Sequence, residues 1–394
     1  MLPRQETTTI QRYASKFPVI GVLGPRQSGK TTLVRAAFPD HRYVNLDLIT
    51  EAQAAAQDPE GFLRLKPSAA GLIIDEAQNV PELFSTLLPL VDEDQRPGRY
   101  ILTGSQNFAM HARISESLAG RIALRTLLPL SIREALTAPA VPATLDQWLW
   151  TGLFPSVFLN RFTPDEWYPE YITTYVQRDV RQLLDVGDLR AFTLVLKLCA
   201  GRIGQLLDLT SLATEAGVAV NTIKRWLSIL EASYVISLVS PHHRNYNKRL
   251  VKTPKLYFMD TGLALALLGI TTPGQVASYY QRGNLFENMI YVDLLKQAYN
   301  RGQRPEIYFW REHSGMEVDF VLERPEGLLA IEVKSSVSIH PEAADSLLRY
   351  GELAGIPTER RLLVYGGTEA DTRREFQLVP WQQLEAYTGS WLDR

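Results

Sequence analysis

A single cysteine, Cys199, serves the whole 394-residue chain. Without a second thiol there is no intrachain disulfide and no cysteine-built zinc site, and the chain suits a reducing cytosol. Long apolar runs are also missing: the longest without a charge, near residues 263–270, is too short to cross a bilayer. The polar first nine residues lack the apolar core of a secretory leader, so a cytoplasmic protein with no membrane partner is expected. Neither sign of charge dominates. A net charge of −2 gives no global pull toward nucleic acid, so any such role must rest on local patches. No internal repeat or low-complexity tract is seen, which argues against repeat arrays and disordered tails. What remains is 45% hydrophobic and 21% charged, as in folded soluble proteins, at a length suited to about two or three domains.

The most informative segment is Gly-Pro-Arg-Gln-Ser-Gly-Lys-Thr at residues 24–31. An apolar run at 17–23 precedes it and reads as a buried strand, while residues 32–37 read as the start of a helix. Strand, Gly-rich turn and helix are what a phosphate-binding loop requires. The loop groups Gly24, Pro25, Arg26, Gln27, Ser28, Gly29, Lys30, Thr31 and Thr32 are expected to bind the cofactor, ATP. Main-chain N–H groups of residues 26–31 would surround a β-phosphate at the helix N-terminus. Gly24 and Gly29 permit an approach that a Cβ would block. Lys30 would bridge β- and γ-phosphates, and the Thr31 hydroxyl would ligate Mg2+.

Residues 71–76, Gly-Leu-Ile-Ile-Asp-Glu, form a second apolar strand ending in two carboxylates. Asp75 would hold the magnesium through water, and Glu76 would polarise the water attacking the γ-phosphate. A nucleotide switch can manage without that second acid, so its presence argues for hydrolysis. A third strand at 99–105 leads to Thr103, Ser105, Gln106 and Asn107. Ser105 and Asn107, with Thr103 behind them, would orient water or sense the γ-phosphate, or else serve as capping and turn residues. Arg121, and less strongly Arg113, stands where ring-forming ATPases carry a basic residue; it acts either as an arginine finger or as a surface partner at a helix end.

Beyond a Pro-rich loop at 139–145, aromatics from Trp148 to Tyr175 populate a helical stretch read as a lid on the ATPase, with core packing favoured over base stacking. Arg178 and Arg181 at its end either reach a nucleotide or form a solvated face. Residues 191–259 read as a winged helix: a helix at 210–217, a second at 222–233 capped by Asn221, a strand at 234–239, a wing at 242–255 and a returning strand at 256–259. Between residues 242 and 255 there are five Lys or Arg and no acid, the one clear basic patch. With Lys224, Arg225 and Ser228 it suits phosphate contact, although a winged helix also serves as a protein-docking module.

Near the C-terminus an amphipathic helix at 284–296 carries Glu287, and three strands follow at 306–311, 315–322 and 328–334. Residues two apart on a strand share a face, so Glu332 and Lys334 point one way while Ile331 and Val333 pack inward. Asp319, Glu332 and Lys334 would converge if their strands are neighbours. The carboxylates would hold a metal, with Glu287 as a third, and the ammonium would activate water. This arrangement resembles the PD-(D/E)xK restriction-endonuclease-like superfamily, although Val318 stands where a Pro often precedes the Asp.

Taken together, these motifs, with Leu-Thr-Gly-Ser-Gln at 102, Glu-Ser-Leu-Ala-Gly-Arg at 116, Phe-Met-Asp-Thr-Gly-Leu at 258 and Leu-Phe-Glu-Asn at 285, resemble bacterial and archaeal AAA-type ATPases. Those proteins carry a C-terminal domain of unknown function with a restriction-nuclease-like core. The resemblance spans about residues 15–370 and implies ATP hydrolysis, a winged-helix segment and a ring or other homo-oligomer. The expected fold class is α/β, an AAA-like P-loop NTPase with a parallel sheet. Its expected divisions are an ATPase core at 1–138, a helical lid at 139–190, a winged helix at 191–270 and a nuclease-like α/β domain at 271–394. The expected function is magnesium-dependent ATP hydrolysis on or with DNA; the alternative is a nucleotide-dependent binding switch that only recognises DNA or a protein. A small-molecule kinase is disfavoured because no acceptor-binding module follows the loop.

Overall fold

The computed structural model describes residues 2–104, 118–175, 189–242, 253–304, 306–312 and 315–392. Contacts divide the chain into two units. The first holds residues 1–130 with short returns at 232–234 and 299–303, and the second holds the rest.

The first unit is built on a sheet whose three central strands are almost wholly apolar and buried, because parallel strands are covered on both faces. The sheet holds β1 (Val19–Leu23), β2 (Arg42–Asn45), β3 (Leu72–Asp75), β4 (Tyr100–Gly104) and β5 (Ile122–Thr126), in the order β2-β3-β4-β1-β5. Every pairing is parallel. Alternate residues of β1 go to opposite cores: Val19 and Leu23 to one, Ile20 and Val22 to the other. The sheet is the α/β fold of P-loop NTPases. Its register sets Asn45 beside Asp75 and Val22 beside Thr103, so three strands deliver polar side chains to the C-terminal edge where β1 enters its loop.

In the second unit, helices Leu145–Thr151, Pro155–Phe158 and Pro164–Tyr171 bury the aromatic stretch. Phe154 packs between Trp167 and Tyr171, with centroids 4.8 and 5.0 Å away. Tyr168 donates to Asp260 at 2.6 Å and Trp148 meets Trp381 edge-on. The stretch expected as a lid on the nucleotide core therefore belongs to the other unit, because its apolar faces are covered by the helix Thr261–Leu267 and by Trp381. Helix Leu209–Ala216 is capped by Asp208, and helix Val220–Ala232 begins before Asn221, which lies in its first turn instead of capping it. Strands β6 (Ile236–Val239) and β7 (Lys255–Phe258) pair antiparallel. Residues 243–252, most of the expected wing, lie outside the described residues.

The last sheet contains β8 (Ile307–Arg311), β9 (Glu317–Arg324), β10 (Gly327–Lys334), β11 (Arg361–Tyr365), β12 (Asp371–Thr372) and β13 (Gln377–Pro380), in the order β12-β13-β11-β10-β9-β8. It is mixed: β10 runs parallel to β11 and antiparallel to β9. Helix Arg282–Asn300, expected to be amphipathic, is buried almost all round. Its polar residues are matched individually; Asn288, for instance, exchanges hydrogen bonds of 2.7 and 2.8 Å with both main-chain groups of Phe258.

Candidate functional site

The turn leaving β1 needs its glycines for a measurable reason. Gly24 has φ 149°, and a Cβ there would lie 2.1 Å from the carbonyl oxygen of Leu127. Gly29 has φ 96° and starts the helix Lys30–Ala37. The Lys30 ammonium is buried and donates to the carbonyls of Gly24 (3.0 Å) and Pro25 (2.8 Å). Burial lowers its pKa to about 8; Glu76 and Asp75 work against that fall, and Arg26 adds to it.

Asp75 is clamped by hydroxyls. Thr31 Oγ1 donates to Oδ2 at 2.8 Å, Tyr43 donates to the same oxygen at 2.7 Å, and Thr103 donates to Oδ1. Burial and the hydrogen bond to Asp75 push the Tyr43 phenol far above its usual range. Glu76 follows in a left-handed conformation, φ 55°, which turns the chain at the end of β3. Gln78 Nε2 donates to its carboxylate at 2.5 Å. Magnesium fits this donor set: a Thr hydroxyl and a carboxylate lie within one hydrogen bond of each other beside the lysine of the loop.

Two contributors escaped the sequence reading. Tyr43, on β2, carries no motif; only its place beside the acidic strand could have marked it. Arg4 donates to the carbonyls of Ser28 (2.7 Å) and Leu128 (2.6 Å), tying the loop to the chain after β5. Of the remaining candidates, Arg26 and Gln27 stand at the partly exposed rim of the loop, Ser28 is buried and Thr32 is exposed. Ser105, Gln106, Asn107, Arg113, Arg178 and Arg181 lie outside the described residues. Arg121 immediately precedes β5, level with the start of β1, and so stands at the sheet edge opposite its own phosphate loop. There it pairs with Asp92 at 2.8 and 3.1 Å, and both are exposed.

The C-terminal candidates do come together, with residues that the sequence did not assign to them. Asp319 Oδ2 accepts from the Val333 N–H at 2.8 Å, and Lys334 pairs with Glu332 at 2.6 Å. Lys255, expected in the basic wing, instead opens β7 and is only 2% exposed. Its ammonium pairs with Glu287 at 2.8 Å and with Glu317, and lies 3.9 Å from Asp319. Tyr257 also donates to Glu287, at 2.5 Å, and Arg311 holds Glu317 at 2.8 Å. Burial opposes charge on Lys255, yet Glu287, Asp319 and Glu317 outweigh it and hold the ammonium above its ordinary pKa. Burial raises both Asp319 and Glu332; nearby acids add to the rise, and the lysines oppose it. Glu287, Asp319 and Glu332, expected to hold a metal between them, each lie beside a lysine ammonium. Among the described residues no group of three acids, histidines or cysteines is arranged to hold a metal ion.

A parallel sheet of this order, a glycine-lined phosphate loop and an acid-ended strand separated from β1 by β4 define an AAA-type P-loop ATPase. Residues 16–136 match the family model of an AAA domain. Residues 142–274 and 282–384 match two domains of unknown function, DUF8612 and DUF4143. More particularly, the chain belongs to the same family as the uncharacterized proteins Rv2008c of Mycobacterium tuberculosis and Mb2031c of Mycobacterium bovis. Each is 32% identical over 371 residues, which is 92% of this chain and 80% of theirs. Solved structures that resemble it include a Walker-type ATPase of Pyrococcus abyssi, 15% identical over 68% of this chain and 96% of that one, with TM-score 0.43. AMPPCP-bound DnaA of Aquifex aeolicus is 14% identical over 57% and 86%, with TM-score 0.28. Likeness at this level carries no functional information. No described helix is long and apolar enough to cross a membrane.

Proposed function

We propose that the protein is a magnesium-dependent ATP hydrolase that works on or with DNA, in an assembly of its own copies. The observation carrying the first part is the clamp on Asp75: a hydroxyl from the phosphate-loop helix and two from neighbouring strands fix one carboxylate beside Lys30. Thr31 and Asp75 would hold magnesium, which supplies charge neutralisation between the phosphates. Lys30 neutralises phosphate charge, loop N–H groups orient the chain of phosphates, and Glu76 takes the proton from the attacking water. Thr103 receives the main-chain N–H of Glu76 at 3.4 Å while donating to Asp75, so one side chain sets both acids. Arg121, at the sheet edge opposite its own loop, would serve a neighbouring copy.

The DNA reading is supported by Lys224, Arg225 and Ser228, which are exposed on one helix that an antiparallel strand pair follows in the chain, an order like that of a winged helix. The nuclease-like reading of the last domain is supported by a mixed sheet with Asp319 and Glu332 on adjacent strands and Glu287 on a packed helix. The rival is a nucleotide-dependent binding switch. Phosphate release from Mg-ATP, with and without duplex DNA, separates the two. A Glu76→Gln variant should retain ATP affinity and lose turnover, and DNA should change the wild-type rate. Turnover that is negligible in the wild type and unchanged in Glu76→Gln would favour the switch.

A further inference from the structure

We infer that Lys255 is a built-in replacement for the divalent cation of the C-terminal acidic cluster, so that this nuclease-like domain holds no metal and does not cut. The position of the ammonium carries the inference. It lies among the helix acid Glu287 and the strand acids Glu317 and Asp319, the carboxylates that a bridging cation would need. Magnesium sits about 2.1 Å from its oxygens and keeps several waters. An ammonium 2.8 Å from Glu287 Oε1 fills that space and repels a second cation.

Some oxygens of the cluster carry further hydrogen bonds. Asp319 Oδ2 takes the Val333 N–H, Glu287 Oε1 also takes the Tyr257 hydroxyl, and Glu332 Oε1 takes Lys334. Glu332 Oε2 has no hydrogen-bond partner, but an ammonium already stands beside the other two acids, Glu287 and Asp319.

Nor is Lys255 a passing surface side chain. Its main chain pairs with Val239 on one side and Leu206 on the other, and its ammonium lies 5.5 Å from the centre of the Phe309 ring. A lysine fixed in a strand does not withdraw as a loop lysine does. Lys255, Arg311 and Lys334 together face Glu287, Glu317, Asp319 and Glu332, so the protein supplies nearly all of its own countercharge.

The test uses the full chain, free of nucleotide, with manganese alone as the probe, so its outcome is independent of ATP hydrolysis. Paramagnetic titration should give the same manganese binding for wild type and Asp319→Asn. Lys255→Met should gain one ion, bound at least tenfold more tightly than any ion of the wild type and lost again in the double variant with Asp319→Asn. Manganese should raise the melting temperature of Lys255→Met more than that of wild type. Wild-type binding that Asp319→Asn abolishes overturns the inference. So does manganese-dependent nicking of plasmid DNA by wild type that Asp319→Asn removes, or a folded Lys255→Met that gains no ion. Should Lys255→Met fail to fold, the comparison of wild type with Asp319→Asn still decides.

Discussion

At the phosphate loop Lys30 gives its hydrogen bonds to two main-chain carbonyls, while the nearby acids act on it only through space and Asp75 is held by neutral hydroxyls. In the C-terminal unit Lys255 meets carboxylates directly. The first lysine is buried without a matching charge, and its pKa falls; the second is buried among acids, and its pKa rises. Both sites contain lysine, aspartate and glutamate near strand ends. The difference lies in who supplies the countercharge. A lysine whose charge is left for a ligand is costly to bury alone, whereas one already neutralised is part of the structure.

The largest effect expected from this comparison is on turnover. Lys30→Met should lower the ATP hydrolysis rate by about 10²–10³-fold, measured as phosphate release, since it removes a cation aimed at developing phosphate charge. Next comes stability, where the two lysines should part company. Lys255→Met takes the countercharge from the buried Asp319 and the partly buried Glu287 and Glu317, and should cost about 3–5 kcal/mol in denaturant unfolding, part of it restored by adding Glu287→Gln. Lys30→Met, by contrast, should cost no more than about 1 kcal/mol in the absence of nucleotide, because it removes an uncompensated buried charge. Equal losses from both would break the comparison.

A smaller effect follows from pH. Lys30 releases its proton at about pH 8 in the folded chain, against the ordinary lysine value of 10.5 once the chain unfolds. The unfolded chain therefore binds more protons between those values, and stability of the nucleotide-free protein should rise with pH across that window, an increment that Lys30→Met removes. Bound phosphate charge raises the Lys30 pKa again, so ATP binding should take up a proton above about pH 8 and weaken as pH climbs. Calorimetry in two buffers of different ionisation enthalpy reads that proton directly. The smallest effect is that of Tyr43→Phe, which removes one of three hydroxyls on Asp75 and should cost about 0.5–1.5 kcal/mol of transition-state stabilisation.

What could be read from the sequence depended on the range of each signal. The phosphate loop and Asp75 were legible because backbone geometry and chemistry fix residue types within a few positions of one another. Tyr43 and Arg4 were not, since each reaches the site across tertiary distance from a segment with no local pattern. The acids of the C-terminal cluster could be paired by strand alternation, and Asp319 and Glu332 do lie on adjacent strands. Lys255 was misplaced because, in the sequence, it ends a run of basic residues. A returning strand was expected from Leu256, but nothing local says that Lys255 joins it and turns inward. The aromatic stretch at 148–175 was rightly expected to be core, but which unit it covers depends on Asp260 and Trp381, more than ninety residues away.

The most direct test of the contrast between the two sites is anomalous diffraction from crystals grown with manganese and a non-hydrolysable ATP analogue. The account predicts one ion per chain, beside Thr31 Oγ1 and Asp75, and none among Glu287, Asp319 and Glu332. An ion coordinated by Asp319 with Lys255 swung away, or an analogue bound without any ion at Thr31, would contradict it.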